Sequence, residues 1–141
     1  MNDHKDITKE VIAYIETNLE KEIDLDSIAK NIGYSKFYLN RLFLSYTGTT
    51  ICKYMQNRRL TIAAEKLVKT EKPIIQIAYE AGYDSQQSFT FAFKQVYLCP
   101  PKAYRDNGVF TPKQKPISML HSNCGMRKYN KIYSKMEEIA A

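Results

Sequence analysis

Pro73-Ile74-Ile75-Gln76-Ile77-Ala78-Tyr79-Glu80-Ala81-Gly82-Tyr83-Asp84-Ser85-Gln86-Gln87-Ser88-Phe89-Thr90-Phe91-Ala92-Phe93-Lys94 decides the fold, because its pattern has already occurred once in the chain. The earlier copy reads Ile28-Ala29-x-x-Ile32-Gly33-Tyr34, then Ser35 and a helix carrying Leu39, Leu42 and Phe43. The later copy reads Ile77-Ala78-x-x-Ala81-Gly82-Tyr83, then Ser85 and a helix carrying Phe89, Ala92 and Phe93. In each, a short apolar helix leads through a glycine turn to a serine in N-cap position and a second amphipathic helix. That is the layout of a helix-turn-helix. Two such units in one small basic chain point to DNA.

Helical periodicity extends on both sides of the repeat. Val11, Ile12, Ile15 and Leu19 predict a first helix over Ile7 to Lys21. Leu25, Ile28, Ala29 and Ile32 mark a second, capped by Asp24 and ended by Gly33. In the third, Leu39, Leu42, Phe43 and Tyr46 point inward, and Gly48 stops it. A long helix follows from Thr50 to Lys69, with Ile51, Tyr54 and Met55 and then Leu60, Ala63, Ala64 and Leu67 as apolar patches. Pro73 can open a helix because it needs no N–H there; Ile74, Ile77, Ala78 and Ala81 form its apolar side. Phe89, Ala92, Phe93 and Val96 pack the next, and Pro100-Pro101 precedes a last turn to Tyr104-Arg105. No strand pattern competes. The expected class is all-α: two helix-turn-helix lobes joined by a long linker helix, about seven helices, plus a short C-terminal extension. Residues 107–116 hold Asn-Gly and two prolines and suggest a linker. Beyond it Tyr129, Ile132, Tyr133, Met136 and Ala140 form one stripe on a short amphipathic helix, to be buried on the chain's own lobes, on a second copy by self-association, or on a further domain.

The chain of 141 residues is 44% hydrophobic, enough for a core, and carries a net charge of +6. That charge is unevenly spread. Up to Gly33 there are four Lys and eight Asp/Glu, a balance of −4; from Tyr34 onward there are seventeen Lys/Arg and seven Asp/Glu, a balance of +10. The basic part suits phosphates, and the acidic start a solvated or protein-contact face. No apolar run approaches membrane-spanning length, and Met-Asn-Asp-His-Lys lacks a signal-peptide apolar region, so a cytoplasmic protein without a membrane partner is expected. Cys52, Cys99 and Cys124 are scattered and odd in number, which suggests neither a disulfide framework nor a zinc ribbon. His121-x-x-Cys124 offers only two ligand types, so no metal and no cofactor are expected.

Once the core positions of the two second helices are assigned, their opposite faces follow. The first presents Lys36, Phe37, Asn40, Arg41 and Leu44; the second presents Gln86, Gln87, Thr90, Phe91 and Lys94. Both sets begin at the helix N-terminus, the end that reaches base edges in helix-turn-helix docking. Arg suits guanine O6/N7, and Asn or Gln suits adenine N6/N7. Phe37 and Phe91 can meet thymine methyls or sugars, or shield neighbouring core. Ser35 and Ser85 are caps first, with a phosphate near each helix N-terminus as an added role. A helix of about twenty residues is about 30 Å long, close to the roughly 34 Å between successive major-groove segments. One chain can then do what a dimer does in simpler repressors.

At these residues the chain resembles the DNA-binding domain of the AraC/XylS family of bacterial transcription regulators. The likeness is carried by Ile28-Ala29…Gly33-Tyr34-Ser35…Leu39…Leu42-Phe43, by Arg59-Leu60-x-x-Ala63, by Pro73-Ile74…Ile77-Ala78…Gly82-Tyr83, and by Phe89…Phe93-Lys94 and Pro100-Pro101-x-x-Tyr104-Arg105. It covers Ile7 to Arg105. Gly33-Tyr34-Ser35-Lys36-Phe37 and Asp84-Ser85-Gln86-Gln87-Ser88 look most like the MarA/SoxS/Rob branch. The resemblance implies a double helix-turn-helix domain over residues 1–106 and an extension over 107–141. It implies monomeric binding to an asymmetric double-stranded promoter site, recruitment of RNA polymerase, and activation of transcription. It places base readers at Phe37, Asn40, Arg41, Gln86 and Gln87, and makes Arg59 structural. Phe37 stands where relatives usually have Trp, and Phe91 where they usually have Arg.

An enzyme is not expected: neither His4 nor His121 adjoins a convincing nucleophile, and no glycine-rich phosphate loop is present. The family has a DNA-repair methyltransferase relative, but Cys52 lacks the cationic neighbours that would activate it. The alternatives are a protein-interaction adaptor using the acidic segment and terminal stripe, or the DNA-binding fragment of a larger effector-responsive regulator.

Overall fold

The computed structural model describes residues 3–118, and within them the chain is seven helices with no strand. They are α1 (His4–Thr17), α2 (Leu25–Ile32), α3 (Lys36–Thr47), α4 (Ile51–Lys69), α5 (Ile74–Glu80), α6 (Gln86–Tyr97) and α7 (Pro101–Asn107). The stripe from Tyr129 to Ala140, its proposed self-association, and His121 with Cys124 lie outside the described residues. Two compact units share the chain. Among the described residues the first comprises Ile23–Tyr54 with 3–18 and 116–118; the second comprises Met55–Lys115 with Leu19–Glu22.

In the first unit α1 packs on α2 and α3. Its core is Ile7, Val11, Ile12 and Ile15 from α1, Ile28 from α2, Leu39, Leu42 and Phe43 from α3, and Ile51 and Tyr54 from the start of α4. Phe43 and Tyr54 meet with ring centroids 5.5 Å apart, and the Tyr54 hydroxyl donates to Glu16 at 2.6 Å. A polar tip on a fully buried ring needs such a partner. The first helix begins and ends earlier than its periodicity predicts. Asp3 serves as N-cap, so His4 is helical rather than in a loose terminus, and its ring lies 6.2 Å from that of Tyr38. At the other end Asn18 donates its side-chain amide to the Tyr14 carbonyl at 2.7 Å, closing α1 before Leu19.

The second unit is built on α4, α5, α6 and α7. Leu60, Ala63, Ala64 and Leu67 of α4 meet Ile77, Ala78 and Ala81, then Phe89, Ala92 and Phe93, with Tyr97 and Tyr104 closing the cluster. Its aromatic rings are continuous: Phe93 stacks on Tyr97 at 4.7 Å, and Tyr104 stands edge-on to both. Tyr97, not Val96, ends the buried stripe of α6, as Thr47, not Tyr46, ends that of α3. The Thr47 hydroxyl is satisfied by the Phe43 carbonyl at 2.6 Å. Two arginines each hold more than one backbone carbonyl. Arg59 donates to Leu19 and Lys21 at 3.2 and 3.0 Å, while Arg105 donates to Leu67, Thr70 and Lys72 at 2.9, 3.4 and 2.6 Å. The latter group includes carbonyls freed at the C-terminus of α4. Gly82 adopts φ +89, and a Cβ there would sit 3.6 Å from the Arg59 guanidinium.

Of residues 107–116, which composition marks as a linker, Asn107 ends α7 and 110–114 are held to the second unit. Phe110 packs against its core, the Thr111 N–H donates to the Tyr104 hydroxyl at 2.8 Å, and the Gln114 N–H donates to Thr61 Oγ1 at 3.0 Å. Arg58, only 9% exposed, donates to the Gln114 carbonyl at 2.9 Å. In the first unit the Ile117 N–H donates to the Tyr54 hydroxyl at 3.3 Å.

Candidate nucleic-acid interface

Each unit contains one helix-turn-helix, and in each the second helix is started by its serine. Ser35 Oγ accepts from the Tyr38 N–H at 3.2 Å, and Ser85 Oγ from the Ser88 N–H at 3.1 Å. Ser85 also donates to Ser88 Oγ at 3.0 Å, and Ser88 Oγ to the Ser85 carbonyl at 3.1 Å. The preceding turns differ in detail. Asp24 opens α2 in a capping box with Ser27, whose backbone N–H and hydroxyl, with a further push from Lys36, hold the Asp24 carboxyl below its ordinary pKa. α5 instead starts after Pro73 and carries Glu80, which accepts from Lys72 at 2.9 Å and from Lys66 at 3.2 Å. The Lys72 bond, then the Lys66 bond, lowers the Glu80 pKa against a desolvation that would raise it.

The helical period places six of the ten expected face residues in solvent, while Lys36, Asn40, Leu44 and Thr90 are half-buried. On α3, Phe37 is 76% exposed and Arg41 is exposed, while Leu39, Leu42 and Phe43 are buried behind them. Lys36 is half-buried; its ammonium lies 3.2 Å from Asp26 and 5.7 Å from the centre of the Phe37 ring. An ion pair this exposed is worth little, so the ammonium can exchange Asp26 for a phosphate at small cost. On α6, Gln86, Gln87 and Lys94 are exposed, Phe91 is 69% exposed and Thr90 is half-buried. Each face therefore combines amide or guanidinium donors with one solvent-facing aromatic ring.

Asn40 differs from its expected freedom. It is half-buried, and its Oδ1 accepts from the backbone N–H of Ile51 at 3.1 Å. The sequence offers one signal for this bond: Ile51 opens a helix and needs a partner for its N–H. Nothing local says that a side chain eleven positions earlier supplies it. Arg59, by contrast, is spent on the Leu19 and Lys21 carbonyls, the structural role the resemblance implies for it.

Comparison with known proteins agrees with this geometry. The family described as "Helix-turn-helix domain" matches residues 28–107. The Transposon Tn10 TetD protein of Escherichia coli is 44% identical over 104 residues, covering 74% of this chain and 75% of that protein. Regulatory protein SoxS of Escherichia coli strain K12, a named member of the branch inferred from the recognition helices, is 40% identical over 102 residues, covering 72% of this chain and 95% of SoxS. Among solved structures, a transcriptional regulator with an AraC-type DNA-binding domain from Chromobacterium violaceum superposes with a TM-score of 0.68 at 31% identity, covering 73% of this chain and 92% of that one. With the duplicated helix-turn-helix and both capped recognition helices in place, the chain belongs to the AraC-type family of helix-turn-helix transcription regulators.

Proposed function

We propose that the protein is a sequence-specific DNA-binding activator of transcription that binds as a single chain and sets α3 and α6 into successive major-groove segments of an asymmetric promoter site. The observation that carries this is the duplication itself: two serine-capped helices, each with exposed side chains on its first turns, Phe37 and Arg41 on α3 and Gln86, Gln87 and Phe91 on α6. Phe37, Asn40 and Arg41 read through α3, and Gln86 and Gln87 through α6. Lys36, Thr90, Phe91 and Lys94 support them at sugars and phosphates, and a phosphate approaches the N-termini capped by Ser35 and Ser85. The domain is residues 1–106. Residues 107–141 are an extension whose terminal stripe serves self-association, and RNA polymerase is the protein partner. The protein works in the cytoplasm, on the nucleoid. The regulator names of its relatives and the +10 balance from Tyr34 onward support this.

A footprint on duplexes selected from a random pool tests it. One chain per site should protect two successive major-groove segments on one face. Protection of a single segment, or a strict requirement for two chains, would overturn it.

A further inference from the structure

The outer faces of α3 and α6 carry the same three kinds of side chain, a ring, a cation and a leucine, at different heights. On α3 the order is Phe37, Arg41 and Leu44; on α6 it is Phe91, Lys94 and Leu98, and in both the leucine follows the ring by seven positions. The offset that relates Ser35 to Ser85 pairs Phe91 with Arg41 and Leu98 with Gly48, not ring with ring. The set on α6 therefore stands four residues later, about 6 Å further along the helix. Its first turn is left to Gln86 and Gln87.

That displacement puts Leu98 in an unfavourable place. It follows Tyr97, the last residue of α6, and its N–H still donates to the Lys94 carbonyl at 3.0 Å. With about 100° between successive residues, Gln87, Phe91, Lys94 and Leu98 start from one strip of the helix surface, about 60° wide. At φ +62 Leu98 holds the left-handed conformation for which glycine is the usual choice, and it is the one non-glycine residue to do so among the described residues. Its side chain recovers little in the free protein. Val96 and Cys99 pack against the core of the second unit, whereas Leu98 is 84% exposed; Leu44, its counterpart on α3, is half-buried. Gly48 ends α3 in the same conformation, so stopping the helix does not require a leucine. Backbone strain that supports an exposed apolar side chain on this strip points to a use outside the folded chain.

We propose that Leu98 is a DNA-contact residue, the last on the α6 face, and that its methyl groups meet apolar carbon of the DNA, in deoxyribose or in a thymine methyl. This rests on the DNA-binding function proposed above. The N-terminal end of a recognition helix reaches base edges, so the far end lies toward the groove wall. Leucine has no donor or charge for a phosphate there, which leaves carbon as its partner. On the base edges of the major groove that carbon is the thymine C5-methyl. α6 then contacts DNA along about 16 Å, from Gln87 to Leu98, against about 10 Å from Phe37 to Leu44 on α3.

Three full-length variants test this on a duplex selected by the parent. Leu98→Gly removes both side chain and strain. Leu98→Asn is polar and tolerates the left-handed conformation, and Leu98→Met remains apolar. Leu98→Gly and Leu98→Asn should each bind about fivefold more weakly, as the loss of a partly buried leucine contact would give. Leu98→Met should bind within about twofold of the parent, and Leu98→Gly should melt no lower than the parent. Parental affinity in Leu98→Gly and Leu98→Asn overturns the proposal and leaves Leu98 to a protein partner. So does a loss in Leu98→Gly alone, which belongs to backbone freedom, or an equal loss in all three, which is not apolar contact. A lower melting temperature for Leu98→Gly assigns the side chain to the fold and overturns it too. Replacing each thymine by uracil in turn then identifies the carbon. A replacement that weakens the parent but not Leu98→Gly marks a thymine methyl; where none does, the partner is deoxyribose. A parent that selects no duplex overturns the DNA-binding function itself, a result distinct from all of these.

Discussion

Arg41 and Phe91 occupy corresponding places on α3 and α6, and this one difference makes the two reading faces unequal. Arg41 is exposed and can offer a bidentate pair to guanine, worth about 1–3 kcal/mol of discrimination. Phe91 offers a ring and no donor, so under the proposed function base reading by α6 falls to the amides of Gln86 and Gln87. Arg41→Ala should therefore lower affinity for a selected duplex more than Gln87→Ala and relax preference at specific base pairs, as gel shifts at matched salt would report; the reverse order would refute the ranking. A second contrast concerns stability. α3 ends at Gly48 with φ +81, whereas α6 ends at Leu98 with φ +62, a left-handed conformation that costs a side-chain-bearing residue about 1 kcal/mol or more. Leu98 is 84% exposed, so little burial offsets that cost. Leu98→Gly should stabilise the protein by about 0.5 kcal/mol after the glycine's own entropy is counted. A melting temperature raised by a few degrees would show it, and a fall would mean that the Leu98 side chain contributes contacts of its own.

The helices of the second unit depend on a segment that is not helical. Phe110, Thr111, Lys113 and Gln114 come after α7 and meet its core or its hydroxyls, with the Lys113 N–H 3.4 Å from the Tyr97 hydroxyl. Two truncations distinguish this segment from the residues beyond Ser118. Ending the chain after Ser118 removes none of these bonds. Ending it after Asn107 strips the Phe110 packing and the carbonyl that the nearly buried Arg58 uses. That should destabilise the domain by about 2 kcal/mol, since one buried charged hydrogen bond and one partly buried ring are lost together. Equal melting of the two truncated chains would show that residues 108–118 are a passive connection.

For the molecule as a whole the relevant quantity is charge. The −4 balance up to Gly33 and the +10 balance after it leave the phosphate-facing part strongly basic. Each phosphate neutralised contributes about −0.9 to the slope of log affinity against log salt, so Lys36, Lys94 and one further cation of the basic part together set a slope of about −2.7. Fluorescence-anisotropy titrations between about 50 and 200 mM salt should show a slope at least that steep, a loss of roughly fortyfold or more. A slope shallower than about −2 would mean that the basic part does not face phosphates.

Most of the architecture was legible because it is local and repeated. Helical periodicity assigned Leu39, Leu42, Phe43, Phe89, Ala92 and Phe93 to the core, and the same period put Phe37, Arg41, Gln87 and Phe91 on the opposite faces, where they stand. Serine caps, glycine turns and proline starts are one-turn signals, readable without knowledge of the rest of the chain. The early end of α1, the attachment of residues 110–114 and the commitment of Asn40 to Ile51 were not readable in this way. The last two depend on a backbone group finding a partner distant along the chain, as when Arg58 reaches Gln114 or Arg59 reaches Leu19. A residue's neighbours in sequence specify the face it occupies; which of its polar atoms remain free for DNA is settled only when the folded chain has satisfied its own donors and acceptors.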